Sequence, residues 1–372
     1  MPPRIVTSAE LEGELALPAG YYARMVGVVR RHRAVTETGS QLGARALARA
    51  LERANLELDD VDLLIGASAT MDYVLPNRAS SILAELCPRR APGIACVDVG
   101  ATCISFVVGL HHAAMLLATG GARRVAIVSA EIARYGLDAS DVEPYGLFGD
   151  GAAAAIVTAC PGEDSGLLDY RMRTYPAGHD HCIIRGGGNA FPPRHFAYSH
   201  ELFGFRMAGR PLLRLVQDEL PGFLAGCGLA PAVVCPDAGL PRRVLAEAAL
   251  GELGLLPQSE AGALTAAHAG RRHGNSRSLA ADRCGVAGRP LAPDLIIPHQ
   301  TSALGFRLLA RALGPDAPPM VDLLADTGNC IAASIPLALD HAIATGRLRR
   351  GETCTLLGSA AGLSLGALTF KY

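Results

Sequence analysis

The chain has 372 residues, of which 50% are hydrophobic and 19% charged, and its formal net charge is −1. A chain of this length holds about two domains or one large one, and this much apolar material excludes a disordered protein. The balanced charge creates no global field that would attract nucleic acid or an anionic membrane. The composition therefore favours an enzyme-sized globular protein with no nucleic-acid partner.

The N-terminal segment MPPRIVTSAE lacks the apolar core of a signal peptide, so we expect a cytoplasmic protein. The most apolar stretch, Cys96 to Gly121, contains Asp98 and is broken by Gly100 and Gly109. We expect a buried strand and helix there and no membrane span. The ten cysteines show neither CxxC pairs nor zinc-finger spacing, which favours reduced, buried thiols.

Apolar runs that end in small residues predict six strands, and apolar residues at spacings of three and four predict helices between them. The predicted strands are Leu63 to Ala67, Val125 to Ser129, Ala153 to Val157, Leu295 to Pro298, Thr353 to Gly358 and Ala367 to Phe370. The predicted helices are Ser40 to Asn55, Ser80 to Leu86, Phe106 to Thr119, Leu212 to Ala225 and Ser334 to Thr345. This alternation predicts a layered α/β fold.

An internal repeat divides the chain into two halves. Segments that begin at Gly100 and Thr327 each contain a turn with Cys, a helix that ends near a TG pair, a basic turn and an apolar strand. A duplicated α/β unit, docked about a pseudo-twofold axis, would bury its strands on both faces. We therefore predict an N-terminal half at residues 1–165 and a C-terminal half at residues 166–372.

The segment from Pro231 to Pro290 lies outside the repeat. It holds one plausible helix, Arg242 to Leu255, followed by a stretch rich in Gly, Ala, Arg and Ser. A loop of this length inside a compact domain is usually an insertion, a lid or disorder, and we expect the least ordered part of the chain here.

Cys103 lies between a predicted strand and the helix that starts near Ile104. At a helix N-terminus the macrodipole and the free backbone N–H groups favour a thiolate, so we expect a lowered pKa for this thiol. A nucleophile that forms a thioester is one interpretation, and a small buried cysteine is the other.

His299 follows a short apolar strand, and Asn329 lies in the turn that the repeat places opposite Cys103. A lone histidine is more often structural, and asparagine at a helix start is an ordinary cap. Together the three form a coherent site: the thiol attacks an acyl thioester, and the imidazole and amide N–H groups stabilise an enolate. The amide of Cys103 and one from Gly358 to Gly362 would form an oxyanion hole, and the chemistry needs no metal, flavin or nucleotide.

Three further motifs carry weaker signals. His179, His181 and Cys182 have the residue types of a metal site but no distal partner pair, which favours a surface loop. The Gly-rich runs at 147–152 and 186–188 lack phosphate-loop spacing. The basic run at 30–33 is typical of a solvated face, although it would also suit nucleotide phosphates or an acidic carrier protein.

The chain resembles the ketoacyl-synthase III (KAS III) branch of the thiolase superfamily over nearly its whole length. The motifs are DVGATCISFVVGL around Cys103, GLFGDGAAAAIV at 146–157, FRMAGRPLLRL at 205–215, LIIPHQTS at 295–302 and DTGNCIAASIPLALDHA at 326–342. The resemblance implies a duplicated five-layered αβαβα sandwich and a homodimer. It implies that acyl-CoA or acyl carrier protein loads Cys103, and that a malonyl thioester then decarboxylates beside His299 and Asn329.

The family's substrate contacts map onto altered residues at the predicted tunnel. Ser302 stands where the family has an asparagine that positions pantetheine. Tyr21 and Met25 replace the aromatic residue and arginine that hold the CoA adenine in housekeeping members, and we expect Arg24 or Arg31 to compensate. These departures imply a specialised pathway enzyme.

The family's acyl-site positions are also recognisable. Ala361, in SAAG, is expected to offer its N–H to the oxyanion hole. Leu75 matches the residue that one subunit contributes to the acyl pocket of the other. We expect packing around Leu75, Phe148 and the loop at residues 190–205 to set the depth of that pocket.

The expected activity is a 3-oxoacyl thioester synthase of a specialised fatty-acid or polyketide pathway. Relatives that condense two acyl chains head to head have glutamate where this chain has Leu75, and relatives that only transfer acyl groups often have aspartate where it has Asn329. Two alternatives remain open: an acyltransferase that makes esters or amides, and an inactive partner subunit.

Overall fold

The computed structural model describes residues 1–88, 93–160, 165–229 and 292–372. The predicted insertion from Pro231 to Pro290, with its predicted helix from Arg242 to Leu255, lies outside the described residues. The described residues form strands and helices in alternation along both halves of the chain. The strands β1 to β12 are Arg4–Thr7, Arg30–Arg33, Leu63–Gly66, Ala95–Asp98, Arg124–Glu131, Gly151–Thr158, Gly166–Thr174, Cys182–Ile183, Arg206–Met207, Leu295–Pro298, Thr353–Ala360 and Ser364–Lys371.

The helices begin at side-chain caps where the sequence supplies them. Thr38 and Gln41 form a capping box at the third helix, and the Asn77 side chain accepts from the Ser80 N–H at the start of the fourth. The helices α1 to α11 are Ser8–Glu14, Tyr21–Met25, Gly39–Ala54, Arg78–Leu86, Ser105–Ala118, Val142–Leu147, His200–Phe203, Gly209–Gly226, Ala303–Leu313, Leu324–Thr327 and Ser334–Ala344.

Two four-stranded sheets organise the molecule. The first has the order β4-β3-β5-β6 and the second the order β10-β11-β12-β7. In the first sheet β3 runs parallel to β4 and β5, and β6 pairs antiparallel with β5. In the second, β10 runs parallel to β11, and β12 lies antiparallel between β11 and β7.

Five layers result from the packing of helices on these sheets. Helices α5 and α11 lie between the sheets in one buried apolar cluster that includes Ile104, Val107, Ile335 and Leu356. Helices α3 and α4 cover the outer face of the first sheet, and α8 and α9 pack together against the outer face of the second. The layered α/β prediction is confirmed.

The duplication is visible in matched backbone features of the two halves. Strands β5 and β6 pair over eight residues, as do β11 and β12. Before each central helix, one residue has positive φ: Thr102 at 47° and Ile331 at 51°. The Ser105 and Ser334 hydroxyls, four residues after the start of each turn, accept from a turn N–H at 2.9 Å.

This correspondence fixes the register of the repeat. It places Cys103 opposite Ala332 and Asn329 opposite Gly100, because Ser105 and Ser334 are equivalent. An alignment of the repeats from Gly100 and Thr327 pairs Cys103 with Cys330, and it is therefore two residues out of register at this turn.

All six predicted strands and all five predicted helices are present, with ends shifted by at most a few residues. The strand expected near Cys96 is β4, but the expectation that it is buried is wrong, because it is largely exposed. Strand β7 was not predicted, and it is largely exposed as well. Both strands lie at sheet edges. Partial exposure removes the continuous apolar run on which prediction of a buried strand depends.

Candidate active site

A cavity of about 1670 Å³ lies where the two halves meet. Both halves contribute to its lining, and the predicted site residues among the lining are Cys103, Phe148, His299, Ser302, Asn329 and Ala361. The cavity therefore brings together the three polar side chains that lie far apart in the sequence.

Cys103 sits on a short 3₁₀ turn, Thr102–Ile104, directly before α5. The next residue, Ile104, is fully buried and packs so closely that a Cβ at Gly358 would lie 2.7 Å from its Cγ2 atom. Burying an isoleucine contributes about 2 kcal/mol, and here it fixes the turn against the second sheet. The thiol is left half-buried at the cavity wall.

The environment of the Cys103 thiol opposes ionisation. Burial, followed by the negative charge of Glu131 and then Cys182, raises the pKa of this thiol to about 12, and backbone hydrogen bonds from Ala361 and Cys103 offset only part of the rise. The expectation of a lowered pKa is therefore wrong for the free protein, because desolvation outweighs the helix N-terminus.

His299 follows β10 and is 5% exposed. Its Nδ1 atom lies 3.0 Å from the Ser359 carbonyl oxygen, and its Nε2 atom lies 3.1 Å from Oδ1 of Asn329. Burial lowers the pKa of the imidazole to about 4, so the ring is neutral near pH 7. Because a neutral ring carries one N–H, it donates to only one of these two oxygens at a time.

Hydrogen bonds of both its backbone and its side chain hold Asn329 in place. Its N–H donates to the Leu147 carbonyl at 2.9 Å, and its carbonyl accepts from the Gly149 N–H at 3.1 Å. Its Oδ1 atom also accepts from the Ile331 N–H at 2.8 Å. Glycine is needed at position 149, because a Cβ there would collide with the Thr327 carbonyl.

Two predicted acyl-site residues lie in different surroundings. Phe148 is 9% exposed, lines the cavity and makes an edge-to-face contact with Phe205 at 5.4 Å. Leu75 is 84% exposed and is not part of the cavity lining of its own chain, although Met71 and Tyr73 of the same loop are. Its predicted entry into a partner's pocket stays a prediction.

The predicted nucleotide contacts are mostly absent from the cavity lining. Tyr21 and Arg24 do not line it, and Arg24 Nη1 donates to the Ala19 carbonyl at 3.0 Å. The expectation for Arg31 is wrong: its side chain is fully buried and donates to Ser8 Oγ and to the Gly146 carbonyl. A buried guanidinium that donates its hydrogen bonds to groups inside the protein is not available to bind phosphates.

Ser302 lines the cavity, but its side chain has a structural role as a helix cap. Its hydroxyl accepts from the Gly305 N–H at 3.1 Å and caps helix α9. The predicted contact of Ser302 with pantetheine stays a prediction.

Sequence reasoning missed two cavity-region residues. Glu131 ends β5 and is fully buried; its signal was a charged residue at the end of the apolar run VAIVSA. Cys182 is half-buried and lines the cavity, whereas its HDHC motif favoured a surface loop. Within the described ranges, no group of three or more His, Cys, Asp or Glu residues is placed to hold a metal ion.

Two copies of one α/β unit in five layers, with the cavity at their junction, define the architecture of thiolase-fold condensing enzymes. Residues 97–176 match the model of the family 3-oxoacyl-[acyl-carrier-protein] synthase III, and residues 290–372 match the model of its C-terminal part.

Whole-chain comparisons agree. A β-ketoacyl-[acyl-carrier-protein] synthase III from Streptomyces coelicolor is 30% identical over 376 residues, covering 100% of this chain and 94% of the relative. One from Desulfitobacterium hafniense is 28% identical over 373 residues, covering 100% and 95%. The crystal structure of the Pseudomonas aeruginosa enzyme matches with a TM-score of 0.71 and 25% identity, covering 100% and 95%.

The chain therefore belongs to the β-ketoacyl-[acyl-carrier-protein] synthase III family. It is a condensing enzyme of the 3-oxoacyl synthase type, and so an acyltransferase. Among the described helices, none is long and apolar enough to cross a membrane.

Proposed function

We propose that the protein makes 3-oxoacyl thioesters in a specialised fatty-acid or polyketide pathway, by loading an acyl group on Cys103 and condensing it with a malonyl thioester. The observation that supports this most is that the His299–Asn329 pair and Cys103 line one cavity. Acyl-CoA or acyl carrier protein would supply the acyl group, and the reaction uses no metal or other cofactor.

In the first half-reaction, the Cys103 sulfur attacks the carbonyl carbon of the acyl thioester. The backbone N–H groups of Cys103 and Ala361 both face this sulfur, and they would donate to the oxyanion of the tetrahedral intermediate. The intermediate collapses to acyl-Cys103, and the thiol proton leaves with the departing pantetheine sulfur.

In the second half-reaction, the malonyl thioester loses CO₂ and its electron pair moves into an enolate. A neutral His299 with its proton on Nε2 would donate to the thioester oxygen, and the amide of Asn329 would supply a second N–H. The enolate carbon attacks the carbonyl carbon of acyl-Cys103, the carbon–carbon bond forms and the carbon–sulfur bond breaks. The Cys103 sulfur leaves as a thiolate and takes up one proton from solvent, which restores the thiol.

The loop that ends in Leu75 supports a homodimer. Met71, Tyr73, Val74 and Leu75 are 63%, 58%, 81% and 84% exposed, which is unusual for four large apolar side chains within five residues. A second copy of the chain would cover this loop and receive Leu75 in its acyl pocket.

Mass spectrometry of the intact protein tests the loading step. After incubation with a panel of acyl-CoAs and acyl carrier proteins, wild type is expected to gain one acyl group, which the Cys103→Ala variant does not. Cys182→Ala is the matched control, because Cys182 lines the same cavity, and it should still load. Equal labelling of Cys103→Ala and wild type contradicts the assignment of the nucleophile.

Addition of malonyl thioester to the loaded enzyme tests the condensation step. We expect CO₂ and a 3-oxoacyl thioester in equal amounts. An ester or amide formed from an alcohol or amine acceptor, without CO₂, would identify an acyltransferase instead. Failure to load any acyl donor would point to an inactive partner subunit.

A further inference from the structure

Part of the cavity extends between helices α8 and α9 and the outer face of the second sheet. Four of its side chains there are members of the buried apolar cluster between these helices and the sheet, so the cavity enters the core at this point. We call this space the leucine arm. It is defined by six aliphatic side chains: Leu212, Val216 and Leu220 of α8, Leu309 of α9, Leu357 of β11 and Leu365 of β12.

The leucine arm is separate from the acyl pocket predicted around Phe148. Phe148 and Phe205 belong to another buried cluster, which shares no residue with the leucine arm. The cavity therefore offers an alkyl chain a second apolar space, on the side of helices α8 and α9.

The leucine arm opens beside the reacting groups. The His299 N–H donates to the carbonyl of Leu357 at 2.8 Å. Ala361, which is expected to donate to the oxyanion, lines the cavity, and so does Leu363, which packs in the same buried cluster as the leucine arm. An acyl group whose carbonyl lies in the oxyanion hole therefore has its chain next to the leucine arm.

The chemistry of the leucine arm suits an alkyl chain. Protein interiors pack about as closely as organic crystals, so an empty apolar space inside a core loses dispersion contacts that a chain would restore. Aliphatic walls offer no hydrogen-bond partner to a polar ligand. The whole cavity, at about 1670 Å³, exceeds the about 300–1,000 Å³ of an ordinary ligand pocket, which leaves room for a chain besides pantetheine.

The spacing of the α8 side chains indicates the length of chain that fits. Leu212, Val216 and Leu220 recur every four residues, so they form one row along about 12 Å of the helix. With carbon–carbon bonds of about 1.5 Å, an extended alkyl chain advances about 1.3 Å per carbon. A chain of about ten carbons therefore matches the row.

We propose that the leucine arm binds the alkyl chain of a long-chain acyl donor, of about ten carbons, while the carbonyl group lies at Cys103 and Ala361. The acyl group that the enzyme condenses is then a long chain and not acetyl. This inference rests on the proposed function, because it takes Cys103 as the residue that accepts the acyl group.

Loading of Cys103 from acetyl and decanoyl pantetheine thioesters, followed by mass spectrometry of the intact protein, tests the proposal. Pantetheine is the part that CoA and acyl carrier protein share, so the result does not depend on contacts with a nucleotide. Each buried methylene strengthens binding about three- to fourfold. Wild type should therefore load decanoyl at least about tenfold faster than acetyl at equal, low concentrations.

Val216→Phe places a larger side chain in the middle of the α8 row. It should slow decanoyl loading at least about tenfold and leave acetyl loading within about twofold of wild type. Gln217→Phe is the matched control, because Gln217 is exposed on the same helix and does not line the cavity. Both of its loading rates should stay within about twofold of wild type.

Three outcomes overturn the proposal while the proposed function stands, because acyl-Cys103 still forms in each. Wild type may load acetyl as fast as decanoyl, or Val216→Phe may slow both donors equally. The third is decanoyl loading that Val216→Phe leaves unchanged, which places the chain elsewhere in the cavity. Absence of any acyl group on Cys103 contradicts the proposed function instead.

A binding measurement tests the leucine arm without any reaction. S-decyl pantetheine is a thioether and cannot acylate the enzyme. By calorimetry, wild type should bind it at least about 10²-fold more tightly than S-ethyl pantetheine. Leu212→Phe, at a half-buried position of the same row, should lose most of this ratio, and it replaces Val216→Phe if that variant does not fold. An unchanged ratio in Leu212→Phe shows that the chain does not bind in the leucine arm.

Discussion

The turns before the two central helices, at Gly100 to Ser105 and at Asn329 to Ser334, have the same backbone and different side chains. In the first turn Cys103 is half-buried, whereas its counterpart Ala332 in the second turn is fully buried. In the second turn the polar group is Asn329, whose counterpart Gly100 has no side chain. Each turn therefore supplies one functional group, at a different position of the same local structure.

The difference in burial explains why the two turns carry different functional groups. The second turn is locked in place, since Asn329 bridges to Phe148 and Cys330 is fully buried. The first turn leaves Cys103 open to the cavity. A rigid turn suits a group that must hold a hydrogen-bond direction, and an accessible one suits a group that must form a covalent bond.

Removing the side chain of Asn329 should have the largest effect. We expect Asn329→Ala to slow the condensation about 10²–10³-fold, because it deletes one donor to a developing negative charge. Loading of Cys103 should change by less than about fivefold, since backbone N–H groups serve that step. The measurements are CO₂ release and acyl-enzyme mass.

Gly100→Ala is the matched control in the first turn. Gly100 does not have positive φ, and a Cβ at this position meets no atom within 4 Å. Both half-reactions should stay within about twofold of wild type. A condensation rate for Asn329→Ala within tenfold of wild type would contradict the assigned role.

The two halves also differ at the ends of equivalent strands. His299 directly follows β10, whereas Ala67 directly follows β3, the corresponding strand of the first half. Burial holds the pKa of His299 at about 4, below its ordinary 6.5. Between these two values the unfolded chain binds more protons than the folded one, so stability falls as the pH drops from about 6.5 to about 4. The full effect is about 3 kcal/mol.

The change that tests this linkage is His299→Gln, followed by urea unfolding at pH 7 and pH 4. The loss of free energy of unfolding between the two pH values should be about 3 kcal/mol smaller than in wild type. His195→Gln, at an exposed position, should leave the loss unchanged. Equal losses in His299→Gln and wild type would show that the imidazole is already protonated or not buried in solution.

The central features of the fold were predictable because they depend on local patterns. Buried strands such as β5 and β11 carry uninterrupted apolar runs, and the helices between them carry apolar residues at helical spacing. The register of the repeat was not predictable from Cys103 and Cys330. It is set by hydrogen bonds from the turns to Ser105 and Ser334, and these require the folded backbone.

The site was predictable as a set of residues and not as an electrostatic environment. The sequence places Cys103 at a helix start, but in the folded chain burial raises the pKa of its thiol most, followed by the charge of Glu131, which ends a strand 28 residues later. Likewise, the basic run that contains Arg31 resembles a solvated face, and only the tertiary packing shows that its guanidinium is in the core.

The smallest predicted effect concerns the positive φ angles of Thr102 and Ile331. A side chain in this conformation costs about 1–2 kcal/mol, whereas glycine there costs about 0.5–1 kcal/mol in backbone entropy. The buried Thr102 hydroxyl has no hydrogen-bond partner among the described residues. Thr102→Gly should therefore leave the free energy of unfolding unchanged or raise it by up to about 1 kcal/mol.

Ile331→Gly gains the same relief from strain but loses a side chain that packs against the buried cluster containing Phe148. Full burial of an isoleucine is worth up to about 3 kcal/mol, so a partly buried one should cost more than the relief returns. We expect a net loss of about 1 kcal/mol in urea unfolding at pH 7. If Thr102→Gly and Ile331→Gly change the free energy of unfolding equally, the second turn is no more tightly packed than the first. Burial would then not explain why the second turn carries Asn329, the side chain that must hold a hydrogen-bond direction.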